Sequence, residues 1–147
     1  MKKSALYIYL LLLTFLYSCN GNAPKSSNKN AETSQCYVST AGSDSASLVL
    51  HYNYSKIDGD LNMYFKGKDN MTGKLSGTFK GDTLFLDYNF QSGNNTEYFR
   101  NPLAFLRKDG KLYQGYGEIA TAFGRSYLKK ETIVFDKGFI FNSTDCK

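Results

Sequence analysis

The chain has 147 residues, of which 41% are hydrophobic, 16% aromatic and 21% charged, with a formal net charge of +5. That is room for one domain and too little for two, and the composition excludes a chain disordered throughout. Twelve tyrosines, eleven phenylalanines and thirteen glycines, against two prolines and no tryptophan, favour strands and turns over helices.

Residues 1–18 read as an export signal. Lys2 and Lys3 give a positive start, and an apolar run from Ala5 to Tyr17 is interrupted only by Thr14. It is too short for a comfortable membrane span and sits where a signal core belongs. Its end, Leu16-Tyr17-Ser18-Cys19, resembles a bacterial lipobox, in which a peptidase cuts before the cysteine and the sulfur carries a diacylglycerol. Lipidation of Cys19 is expected, because an odd thiol in an exported chain otherwise lacks a role. The alternative is an ordinary secretory signal with a coincidental cysteine. More than one acyl chain makes anchoring stable. Asn20 is not the aspartate of an inner-membrane retention signal, so a lipid anchor in the outer membrane of a bacterial envelope is expected.

Residues 19–35 follow as the lipidated cysteine and its tether. From Asn20 to Gln35 the apolar residues are Ala23 and Ala31, too few to offset the entropy of ordering. The patterned domain, 36–147, then begins at Cys36. Between Cys36 and Cys146 there are 13 Lys/Arg and 12 Asp/Glu, a net of +1, so most of the positive charge belongs to the signal and the tether. No Lys/Arg run in the domain exceeds two residues, and nucleic acid is not an expected partner. Cys36 and Cys146 stand at the two ends of the domain, and in an oxidising envelope they are expected to pair. The alternative, free or metal-binding thiols, lacks a neighbouring His or a CxxC spacing.

Alternation with period two runs through the domain. Leu48, Leu50, Tyr52 and Tyr54 share one strand face, opposite Val49, His51 and Asn53. Ile57, Gly59, Leu61, Met63 and Phe65 repeat the pattern, as do Leu75, Gly77 and Phe79, then Leu84, Leu86, Tyr88 and Phe90. Gly81-Asp82 and Asp109-Gly110 suit two-residue hairpin turns that need positive φ. Eight strands are predicted at 36–41, 46–54, 57–65, 71–80, 83–91, 97–107, 111–119 and 131–136, with an extended segment reaching Cys146. Residues 120–130 are the one candidate for a short helix or a lid.

Successive hairpins predict an all-β, antiparallel up-and-down meander closing into an eight-stranded lipocalin- or avidin-like barrel, with a β-sandwich as second choice. Glycines within the strands, Gly59, Gly73, Gly77, Gly115 and Gly117, are expected to permit curvature. Phe79, Phe90, Phe105 and Phe135 are large enough to fill the interior.

A family resemblance rests on Cys36-Tyr37, Gly59-Asp60-Leu61, Gly73-Lys74-Leu75-Ser76-Gly77, Gly81-Asp82-Thr83-Leu84, Ser92-Gly93, Gly115-Tyr116-Gly117-Glu118, Phe135-Asp136 and Asp145-Cys146. This succession resembles a group of small lipoproteins of Gram-negative bacteria. The resemblance implies the barrel and the envelope address, and it implies no reaction. Gln114 stands where the pattern expects an acidic residue.

Chemistry-bearing groups are few. His51 is the one histidine, so any Ser-His-Asp relay would use it; a partly exposed strand residue is the simpler expectation. Asp58 and Asp60 lack a calcium loop, and no nucleotide-binding loop is present. No catalytic residue, metal or cofactor is expected. The least ordinary cluster is Arg100 on the sixth strand with Tyr116 and Glu118 on the seventh. With the hairpin closing at Asp109-Gly110, paired residues sum to about 219, which sets Arg100 near Ile119 and one diagonal step from Glu118. A bulge at Pro102 would turn Arg100 inward, making an Arg–Glu anchor at the barrel mouth. The alternative is a surface cross-strand pair contributing under about 1 kcal/mol.

Two functions of different class follow. The first is a non-catalytic, lipid-anchored barrel holding a small apolar or amphipathic ligand in its mouth, which demands a cavity of roughly 300 Å³ or more. The second is a protein-interaction module, an adaptor or an inhibitor of a periplasmic hydrolase, which demands a packed interior and an exposed apolar patch.

Overall fold

The computed structural model describes residues 33–146, so the signal segment, Cys19 and the tether up to residue 32 lie outside the described residues. The strands are β1 (Thr33–Ala41), β2 (Asp44–Asn53), β3 (Lys56–Tyr64), β4 (Met71–Lys80) and β5 (Thr83–Ser92). They continue as β6 (Phe99–Lys108), β7 (Lys111–Gly115), β8 (Ile119–Ala122), β9 (Arg125–Leu128) and β10 (Ile140–Thr144). Eight close into an antiparallel barrel in the order β1-β10-β7-β6-β5-β4-β3-β2, and β8 and β9 form a separate hairpin. β1 pairs with both β2 and β10, so the sheet has no free end and the sandwich alternative falls.

The period-two pattern produces this arrangement because one face of every barrel strand is apolar. Leu48, Leu50, Leu61, Leu84, Tyr88, Phe105, Leu112 and Phe141 each lose nearly all solvent contact inside. Burying each such side chain stabilises the fold by about 1.5–3 kcal/mol. Tyr88 stacks on Phe90 at 4.7 Å, and Phe105 meets Phe141 edge-on at 5.5 Å. The Tyr88 hydroxyl donates to the Leu61 carbonyl across the barrel at 2.9 Å, and burial pushes its pKa far above the usual phenol value. The interior is filled by side chains.

Turn residues act as expected. Asp109 and Gly110 both take positive φ, the requirement of a type I′ turn, and Gly81 does so at the first position of its turn. Register from Ala104↔Gly115 to Lys108↔Lys111 keeps the predicted sum of 219.

Glycine inside strands answers close approach. A Cβ on Gly77 would lie 2.0 Å from the Phe85 carbonyl oxygen on β5. Gly77→Ala is therefore expected to force β4 from β5 and cost about 1–3 kcal/mol, read as a lower urea midpoint with an unchanged slope.

Five expectations need correction. Thr33, Ser34 and Gln35 belong to β1 and not to the tether, since they pair with Tyr52, His51 and Leu50. Backbone ladder bonds order these polar residues where side-chain hydrophobicity does not. The strand predicted to 119 stops at Gly115, and 120–130 holds the β8–β9 hairpin in place of a helix. Residues 131–136 are no strand: Lys130–Thr132 forms a 3-10 turn, and only Tyr116↔Val134 bridges. The eighth barrel strand is β10. Phe135 accordingly fills no interior space; it and Ile133 cover the outer wall at Gly115, where a Cβ would lie 2.6 Å from each. The segment 116–138 is thus an outside excursion inserted between two barrel strands that lie side by side, and Phe139 returns the chain to the core against Phe65 and Phe141.

Candidate functional site

The predicted cluster is not assembled. Arg100 lies opposite Asn89 on β5, and its guanidinium pairs with the Asp87 carboxylate, which raises its pKa further. Glu118 accepts from the Lys129 ammonium at 2.7 Å. Tyr116 is half-exposed and bridges Val134 through its backbone. Arg100, Tyr116 and Glu118 therefore form no shared anchor. The register rule is sound, but β7 ends at Gly115, so position 119 never pairs with Arg100. Pro102 makes no bulge either, because β5–β6 pairing runs unbroken from Thr83↔Leu106 to Phe90↔Phe99. Arg107 N–H donates to Asp82 on the β5 side, so the alternate position 102 faces the side where β7 has ended and no donor is needed.

The rim that carries the disulfide holds a better arrangement. Cys36 and Cys146 are bonded, with Cα atoms 5.2 Å apart, beside the β1–β10 seam. A recess of about 550 Å³ opens here, lined by Gln35, Tyr37, Arg107, Ser143, Asp145 and the disulfide. Strand alternation brings these together. Gln35 and Tyr37 continue the inward face of β1, Arg107 that of β6 beyond Phe105, and Ser143 that of β10 beyond Phe141. Leu50 and Leu112, the cross-strand partners of Gln35 and Arg107, are fully buried, as is Phe141 two residues before Ser143.

Polar groups converge on this recess. The Arg107 guanidinium lies 4.4 Å from the Phe79 ring centre, and Phe79 stacks on Tyr52 with rings 6.3 Å apart. Its carboxylate contact, Asp82, is 4.0 Å away and both side chains are well exposed, so little of the charge is neutralised. The Tyr37 hydroxyl donates to Gln35 Oε1 at 2.7 Å. The Tyr52 hydroxyl beside it is buried with no hydrogen-bond partner. Burial, then the neighbouring Tyr37 phenol, push the Tyr52 pKa well above its usual value, so it is a neutral donor at any physiological pH. The arrangement offers a cation beside polar side chains and the disulfide at an open rim. Nothing in the sequence marked Arg107, since alternation placed it on a face without showing that it tops an open rim.

Elsewhere the chemistry is sparse. Ser34 Oγ lies 2.8 Å from His51 Nδ1, and register places Asp58 opposite His51 on β3. These three stand on the convex outer wall, where no walls exclude water from a reacting group. Among the described residues no group of three or more His, Cys, Asp or Glu is placed to hold a metal ion. Gln114 is buried inside the opposite end of the barrel, and its Oε1 has no donor. A second hollow of about 380 Å³ lies between the β8–β9 hairpin and the outer faces of β4–β6, lined by Phe85, Leu103, Tyr127 and Leu128. No family model, curated protein or solved structure matches this chain.

Proposed function

We propose that this is a non-catalytic, lipid-anchored protein of a bacterial envelope, attached through Cys19, that binds a small amphipathic anion in the mouth of its barrel. The N-terminal signal pattern, the lipobox-like cysteine and the resemblance to small envelope lipoproteins support the address. The observation that carries the binding reading is the Arg107 charge. It is stacked on Phe79 and weakly compensated, at a recess that Tyr37 and the disulfide also line. A carboxylate or similar head would sit on Arg107, with its apolar body on Phe79, Tyr37 and the disulfide. The recess is of ordinary ligand size. Because the interior is filled, the ligand lies across the mouth and does not enter the barrel.

Dodecanoate is a suitable probe, with dodecanol as its uncharged counterpart. Arg107→Gln is expected to weaken dodecanoate binding by about tenfold or more, the value of a hydrogen bond to a charged group, and to leave dodecanol nearly unchanged. Equal loss for both, or no binding to the unsubstituted chain by calorimetry, would sink the reading. The packed interior favours a second reading, an interaction module such as an adaptor or hydrolase inhibitor. Native mass spectrometry of the full chain separates the two, since a binding barrel retains a small ligand of defined mass.

A further inference from the structure

The β8–β9 hairpin, Ile119–Leu128, carries a feature that neither the barrel nor its mouth uses. Its turn is Phe123-Gly124, with φ of 50° and 72°. Glycine takes that conformation freely, but an aromatic residue there is strained, and the first position of such a turn normally goes to Asn, Asp or Gly. Phe123 is also fully exposed, at 106% of its reference area. Around Gly124 there is open space: a Cβ would meet nothing within 4 Å. A strained backbone that holds out a bare phenyl ring gains nothing for the fold.

The hairpin is held at its base and free at its tip. Leu128 is buried at the base, and Lys129 is tied to Glu118 through its backbone N–H and its ammonium. Ala120, Thr121, Ala122 and Gly124 make the outer part thin and uncharged. Behind it stand Arg125, Lys129 and Lys130; Lys129 is paired with Glu118 and Lys130 lies over the Phe85 ring at 5.5 Å, so Arg125, next to the turn, is the cation best placed to reach outward. Arg125 and Tyr127 are two apart, hence on one face of the hairpin. Each piece has a place in a lipid interface: a phenyl to enter the acyl boundary, a tyrosine for the headgroup level, and a long cation to reach a phosphate.

We propose that this hairpin is a membrane wedge, which inserts Phe123 into an anionic bilayer surface while Arg125 meets a lipid phosphate. A lipid surface suits the geometry better than a protein partner, because one narrow tip offers far less than the roughly 800 Å² per side of a specific protein interface. The inference is separate from the ligand reading of the mouth, and it gives the domain a second membrane contact besides the N-terminal anchor.

The absence of tryptophan from the chain makes the test direct. Phe123→Trp places a single emitter at the tip. Tyr54→Trp places one at the β2–β3 turn, also highly exposed and at φ 53°, with Lys56 two residues on as Arg125 is at the other tip, so it isolates the contribution of the hairpin's own geometry. Each full chain is mixed with vesicles of phosphatidylglycerol and phosphatidylethanolamine, and with vesicles of phosphatidylcholine. On the anionic vesicles Phe123→Trp is expected to shift to the blue and to be quenched by brominated acyl chains, while Tyr54→Trp does neither. Adding Arg125→Glu is expected to abolish the shift. An anchor alone brings both emitters close to the lipid without inserting either, so it leaves both spectra unchanged. Unchanged emission of Phe123→Trp, equal shifts at both positions, or a shift only on adding a soluble envelope protein fraction would each overturn the wedge.

Discussion

Replacing Cys36 and Cys146 together with serine is expected to lower the unfolding free energy by about 4–5 kcal/mol, the chain-entropy value for a loop of this length. The bond spans a sequence separation of 110, so almost the whole domain lies within the loop it closes. Local packing adds to the expectation. The β1–β10 seam has three register pairs, Cys36↔Thr144 to Val38↔Asn142, and β10 makes only three more with β7. A seam so short gains little from its own ladder and depends on the covalent link to hold β10 against the wall. Urea unfolding should show the loss in the double variant and the same loss when the unsubstituted chain is reduced. A midpoint unchanged by both treatments would mean that the barrel closes without the bond.

Phe105→Ala is expected to cost about 3–5 kcal/mol, the usual price of deleting a buried aromatic ring. Phe105 has no solvent contact, and it touches Phe141 edge-on with ring centres 5.5 Å apart. Because the barrel is closed, neighbouring strands cannot collapse into the space without breaking ladder bonds, so the cavity persists. Phe105 also joins the two least regular parts of the fold, β6 beside its open edge and β10 at the seam. The loss should therefore appear as accelerated hydrogen exchange in β10 as well as in β6. A cost below 1 kcal/mol would show that the interior is loose there. That result would reopen the question of a ligand inside the barrel.

Much of the fold was legible because its causes are local. Leu84, Leu86, Tyr88 and Phe90 declare an inward face by spacing alone, and Asp109-Gly110 declares a turn by its tolerance of positive φ. Once those are known, hairpin register follows by counting. Residues 131–136 misled because Ile133, Val134 and Phe135 look like a buried strand. Ile133 and Phe135 lie partly covered on the outer wall at Gly115 and Val134 is exposed, and a short apolar run does not say which side of a sheet it covers. The Arg100–Glu118 pair failed for a related reason: extrapolating a register beyond the last paired residue presumes that the strand goes on.

Spacing, turn chemistry and cysteine placement sufficed for the class of the domain, its all-β meander and the pairing of its terminal thiols, since each depends on residues near in sequence or on simple exclusion. Folding in three dimensions settled what no local pattern encodes: that β10 closes the barrel, that 116–138 runs outside it, that Arg107 tops a recess while Arg100 is neutralised by Asp87, and that Phe123 stands clear of everything. Those outcomes depend on which distant residues come to occupy the same space. A side chain's chemistry is set by such neighbours more than by its own identity.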